Sequence, residues 1–148
     1  YSLQVATRRL YLKEMTPKQK ERIELLQSAL TYRDRRLVGF DAAALIEVIE
    51  HLDLERLPAL ERAVFEFARP KTVVITTPNR EYNANYAMPE DKLRHRDHRF
   101  EWTRHEFAEW VNQVSEKFGY TASIEGVGEE DPAFGAASQM AVFRRGVD

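Results

Sequence analysis

The stretch Lys71-Thr72-Val73-Val74-Ile75-Thr76-Thr77 constrains the fold more than any other part of the chain. It is β-branched almost throughout and stops at Pro78, which predicts a strand over 71–77. Before it, Leu54, Leu57, Leu60, Val64 and Phe67 recur at helical spacing and predict an amphipathic helix over 54–67. Earlier still, the apolar run Phe40-Asp41-Ala42-Ala43-Ala44-Leu45-Ile46 reads as a strand buried on both faces. After it, Thr103-Arg104-His105-Glu106 is a capping box that opens a helix carrying Phe107, Trp110, Val111, Val114 and Phe118 to Gly119. Two strands follow, near 121–127 and 139–144, with a Gly- and acid-rich connection between them. This order predicts an α/β domain with a mostly parallel sheet and an antiparallel edge.

The amino-terminal region reads as helical. Leu3, Ala6 and Leu10 share one face of a helix already under way at residue 1. Thr16 as N-cap, Pro17 in the first turn and Gln19 closing a capping box predict a second helix, running to about Leu26. No strand precedes these helices. An open α/β sheet normally places its first ligand-binding turn after such a strand, so the chain is expected to be amino-terminally incomplete.

Composition narrows the chemistry. With 148 residues, one domain is expected. There are no cysteines, which removes disulfides, thiolate metal sites and cysteine nucleophiles, and favours a cytosolic setting. The 22 basic and 24 acidic residues leave a formal charge of −2, so a nucleic-acid partner needs a local basic patch. No apolar run approaches the ~20 residues of a membrane span. Gly-x-Ser-x-Gly and Walker patterns are absent, and Glu-x-x-Glu-His stands in place of His-Glu-x-x-His.

Three clusters can carry chemistry. Glu47, Glu50 and His51 follow a predicted strand; on a helical turn they would share one face and suit Mg²⁺, Mn²⁺ or Zn²⁺. The bland alternative is a solvated helix face with a satisfied surface histidine. Arg94-His95-Arg96-Asp97-His98-Arg99 could add a histidine ligand, His95 or His98, and a cationic surface for phosphate, with Phe100 and Trp102 anchoring the segment. It lies in a predicted polar loop over 79–99; the alternative, a solvated loop with incidental charge, is the weaker reading because of that anchoring. Thr76-Thr77-Pro78-Asn79 ends the neighbouring strand and could line the same crevice, or simply form a turn.

Taken together, Glu47-Val48-Ile49-Glu50-His51-Leu52 and Asp97-His98-Arg99-Phe100-Glu101-Trp102-Thr103-Arg104 resemble the Hua-enhancer-type RNA 3′-terminal 2′-O-methyltransferases, in their bacterial RNA-repair branch. Gly39-Phe40-Asp41, Thr76-Thr77-Pro78-Asn79 and Gln139-Met140-Ala141-Val142-Phe143 also match. The resemblance implies a class I, Rossmann-like methyltransferase fold over residues 1–148, lacking the first cofactor-binding strand and turn. It implies S-adenosylmethionine as cofactor and a divalent ion, Mn²⁺ or Mg²⁺, on Glu47, Glu50, His51 and His98; the Asp-His-x-Phe-Glu-Trp pattern selects His98 over His95.

It further implies methylation of the 2′-hydroxyl of an RNA 3′-terminal nucleotide, in RNA repair or small-RNA protection, beside a kinase–phosphatase–ligase repair partner. His51 or His98 would assist deprotonation. Gln27, Ser28, Ala29 and Ile46 are expected on the cofactor side. Arg94 is expected at the terminal phosphate, and Thr76, Pro78 and Asn79 around the nucleotide. The competing expectation is a non-catalytic RNA- or partner-binding module.

Overall fold

The computed structural model describes residues 2–89 and 91–146. It divides into two units, residues 1–30 and 31–148. The first contains α1 (Ser2–Arg9) and α2 (Pro17–Lys20). The capping box on Thr16 and Gln19 forms as expected, but α2 ends at Lys20 rather than near Leu26. Neither helix buries a residue, and a short helix without a packed face has little to extend it.

The second unit is built on a four-stranded sheet in the order β1-β2-β4-β3. Its strands are β1 (Ala42–Ile46), β2 (Thr72–Pro78), β3 (Tyr120–Asp131) and β4 (Gly135–Arg145). β1 runs parallel to β2, with Ala42 opposite Thr72 and Ile46 opposite Thr76. The β2–β4 and β3–β4 pairs are antiparallel. Within the described residues the sheet is therefore more antiparallel than the sequence suggested, because only β1 and β2 run parallel and β4 inserts between β2 and β3, antiparallel to both. The acid-rich connection is absorbed into the β3–β4 hairpin, with a register shift between Val127 and Glu130.

Two expectations for the first βα segment are corrected. β1 is not buried on both faces: Leu45 is buried and Ala43 half-buried, while Ala42, Ala44 and Ile46 are exposed. A run of alanines hides the period-two alternation that larger residues would have revealed. The helix expected over 54–67 changes type along its length, from a 3₁₀ turn (Leu54–Arg56) through α3 (Leu57–Glu61) to a π-helix (Arg62–Ala68). The wider π turn brings Phe65 into the core, five residues after Leu60, and leaves Phe67 half-buried.

The last helix, α4 (Arg104–Phe118), follows its sequence signals closely. Thr103 and Glu106 form the capping box, and Gly119 ends the helix at φ 73°. Phe107, Trp110, Val111 and Val114 are buried on one face. They meet Val73, Ile75, Ala141 and Phe143 of the central strands in one apolar core with Ile49, Leu60 and Phe65. This packing fixes the carboxyl ends of β1 and β2, where the site forms. Among the described residues, no helix is long and apolar enough to cross a membrane.

Candidate metal centre

The chain leaves β1 through Glu47, whose φ of 52° is left-handed. Its N–H donates to Thr76 O and Thr76 Oγ1, both at 3.1 Å. A non-glycine residue held this way costs about 1–3 kcal/mol, and such strain concentrates at functional sites. The expected helical turn over residues 47–51 does not form; only Ile49–His51 makes a 3₁₀ turn. The strand-end hydrogen bonds to Thr76 keep Glu47 out of it.

The turn nevertheless gathers a ligand set. Arg99 N–H donates to Glu50 O at 2.7 Å, docking the 95–99 segment against the turn. The same contact region brings the His51 and His98 ring centroids to 4.9 Å. Glu50, His51 and His98 each offer a ligand atom, and these atoms lie within 4.8 Å of one another. Glu47 falls outside that group, and so does His95, whose ring centroid is 5.7 Å from that of His98.

Hydrogen bonds set the character of each ligand. His51 Nδ1 lies 3.2 Å from Asp97 O, and His98 Nδ1 lies 2.6 Å from Glu101 Oε1. A carbonyl and a carboxylate oxygen only accept here, so Nδ1 carries the proton in both rings and, in the neutral form, each Nε2 keeps its lone pair. His95 is the reverse: its Nδ1 accepts from Asp97 N–H at 3.2 Å, so its neutral ring carries the proton on Nε2.

Glu50 is fully buried. Its Oε2 accepts from Thr77 Oγ1 at 3.0 Å, whereas among the described residues Oε1 finds no hydrogen-bond partner. Burial pushes its carboxyl above the ordinary glutamate range; its own backbone N–H and the Thr77 hydroxyl oppose this, and the nearby negative Glu47 adds to it. A buried carboxylate oxygen left open beside two imidazole lone pairs fits a divalent cation, which would replace the missing partner.

The neighbouring residues hold the frame. Thr76, Pro78 and Asn79 are buried. Asn79 Nδ2 donates to Phe134 O and Ala136 O, each at 2.8 Å, and its Oδ1 accepts from Glu81 N–H at 3.0 Å, capping a 3₁₀ helix over Arg80–Tyr86. The predicted 79–99 loop is thus partly helical. Arg94 donates through Nη1 to Ala137 O at 2.7 Å, through Nη2 to Asn79 O, and through Nε to Asn83 Oδ1. Those bonds tie it to the scaffold, leaving fewer donors for a phosphate than its sequence position suggested. Ile46 is 54% exposed at the end of β1. Gln27, Ser28 and Ala29 are exposed residues of the first unit.

This arrangement can be set beside known proteins. Over 126 aligned residues, 83% of this chain, it is 44% identical to the small RNA 2′-O-methyltransferase of Xenopus tropicalis, of which it covers 34%. The solved methyltransferase domain of a bacterial Hen1 (CtHen1-C) is 52% identical, with a TM-score of 0.88, covering 99% of this chain and 74% of that one. The chain belongs to the Hen1 family of small RNA 2′-O-methyltransferases.

Its fold is the class I methyltransferase fold of that CtHen1 domain. A chain of a Pnkp1/Rnl/Hen1 complex is also similar, at 25% identity and a TM-score of 0.56, over 86% of this chain and 28% of that one. No family model matches. The chain spans about a third of the length of the first curated relatives it matches. In this Hen1-family domain, sequence reasoning named Glu50, His51 and His98, which the fold brings together. Thr77 and Glu101 lie inside the clusters the sequence singled out, but their roles, beneath Glu50 and behind His98, become visible only in the fold. Glu101 carried a signal, since it lies three residues after His98 in the same motif.

Proposed function

We propose that this domain methylates the 2′-hydroxyl at the 3′-terminal nucleotide of RNA, with S-adenosylmethionine as methyl donor and a divalent cation on Glu50, His51 and His98. The observation that carries the reading is the open, buried Glu50 Oε1 beside two imidazoles whose Nδ1 atoms are already engaged. The Hen1 relatives are named for 2′-O-methylation of small RNA. Specificity for the 3′ end, the cation and the repair setting are our extension to this chain.

A divalent cation held by Glu50, His51 and His98 would supply the acidity and orientation that a ribose 2′-hydroxyl lacks at neutral pH. Glu50 contributes the buried negative charge, and His51 and His98 contribute neutral nitrogen donors. Glu47, adjacent at the strand end, is assigned as the fourth ligand; it must turn inward from its exposed position to complete the set. Because both histidine Nδ1 atoms are committed to acceptors, His51 and His98 suit ligation better than proton abstraction. Ile46, an exposed apolar side chain at the carboxyl end of β1, suits the cofactor side of the crevice. Thr76, Pro78 and Asn79 shape the wall against which the nucleotide lies, and Arg94 is proposed near its phosphate. We further propose a cytosolic setting and an RNA-repair partner like those in the Pnkp1/Rnl/Hen1 complex.

Methyl transfer from labelled S-adenosylmethionine to short RNAs tests this. Labelling of RNA ending in a 2′,3′-diol, loss of it with a 2′-deoxy end, and loss of it with chelator are expected together. RNA binding without labelling under any metal condition would favour a non-catalytic binding module instead.

A further inference from the structure

We propose that Glu101 is the positioning residue of this site. It holds the His98 ring in the tautomer and orientation that leave Nε2 for the cation; this rests on the metal-site reading above. Glu101 is buried, and its two oxygens meet three donors. Oε1 accepts from His98 Nδ1 at 2.6 Å and from Arg94 N–H at 2.7 Å, and Oε2 accepts from Asn83 Nδ2 at 2.7 Å.

The polarity of this network runs one way. The Arg94 guanidinium only donates, so Asn83 must turn Oδ1 toward its Nε and the amide NH₂ toward Glu101. The Arg94 guanidinium is in turn anchored on the backbone carbonyls of Asn79 and Ala137. With Asn83 and the Arg94 N–H both fixed as donors, position 101 must accept at both oxygens. Glutamate does so, whereas an isosteric glutamine would aim an NH₂ at Asn83 or at His98. The carboxylate is thus set by the scaffold, and His98 is oriented by the carboxylate. Partners of this kind behind a ligating histidine commonly govern metal affinity by about 10- to 100-fold.

The test uses Mn²⁺ affinity and the ring tautomer of His98 rather than turnover. In metal-free protein carrying ¹⁵N-histidine, His98 is expected as the Nδ1–H tautomer. Glu101→Gln, with the fold retained, is expected to weaken Mn²⁺ binding by about 10- to 100-fold and to lose that single tautomer. Asn83→Ala should give a smaller loss in the same direction. Glu61→Ala, which removes a buried carboxylate elsewhere, should leave Mn²⁺ affinity unchanged.

Unchanged Mn²⁺ affinity in folded Glu101→Gln, while His98→Ala abolishes binding, overturns the positioning role and leaves the metal site standing. Full binding by His98→Ala overturns the metal-site reading itself. If Glu101→Gln does not fold, the wild-type spectrum decides: His98 found as the Nε2–H tautomer contradicts the proposal.

Discussion

Glu61 and Glu50 are both buried glutamates of the second unit, and their oxygens are treated differently. Beneath α4, Glu61 Oε1 accepts from Trp110 Nε1–H at 3.0 Å and Oε2 from Lys117 Nζ at 3.2 Å. At the end of β1, Glu50 has Thr77 on one oxygen and, among the described residues, no hydrogen-bond partner on the other. The first carboxylate is satisfied within the fold and serves packing. The second is desolvated without full compensation, which the fold tolerates only for a return outside stability. Buried charge alone does not mark a site; a buried carboxylate oxygen left open beside two histidines does.

The largest expected effect follows from altering that oxygen. Glu50→Gln should reduce methyl transfer by about a thousandfold, in line with the several kcal/mol a bound cation supplies. Melting of the metal-free variant should show no loss of stability, since a penalised charge has been removed. Rates near wild type would erase the difference between the two glutamates.

Glu61→Ala should behave oppositely. It leaves the Trp110 N–H buried without an acceptor, so a destabilisation of about 1–3 kcal/mol is expected in denaturant melts. Methyl transfer well below the melting temperature should stay near wild type.

Acidity sharpens the contrast further. The Glu50 carboxyl titrates above its ordinary range because burial penalises its charge. In metal-free protein its contribution to stability is therefore present at low pH and fades as pH rises through the elevated folded value. Bound cation reverses the sign, because it favours the ionised form. Thermal melts should show Mn²⁺ stabilisation growing with pH from the ordinary glutamate range upward; a pH-independent increment would contradict this.

The smallest effect belongs to the surface. Glu81 is held below its ordinary range chiefly by the Arg104 side-chain hydrogen bond. Its share of stability is present above that range and is lost as pH falls through the lowered value. Arg104 is half exposed, so Glu81→Gln should cost under about 1 kcal/mol at neutral pH and leave methyl transfer unchanged.

How much of this was legible in the sequence depended on whether a residue's signal was local. The capping boxes at Thr16 and Thr103, the α4 stripe and the β-branched run of β2 are local patterns, and each forms where expected. The π turn at Arg62–Ala68 was not legible, because its cause is packing of Phe65 against Phe118, Tyr120 and Phe143 far along the chain. At the site, Glu50, His51 and His98 were readable from two motifs. The outward Glu47 was not, since Thr76 on the neighbouring strand sets its backbone. Nor were the anchoring of Arg94 and the role of Asn83, which depend on hydrogen bonds closed only in three dimensions.

The most direct test of the central claim is a Mn²⁺ titration of wild type, Glu50→Gln and Glu61→Ala side by side, each with its fold verified. Wild type and Glu61→Ala are expected to bind one ion with similar affinity, and Glu50→Gln to lose it. Equal binding by Glu50→Gln would show that the open oxygen at the end of β1 is not a metal ligand, and would remove the ground on which the proposed chemistry stands.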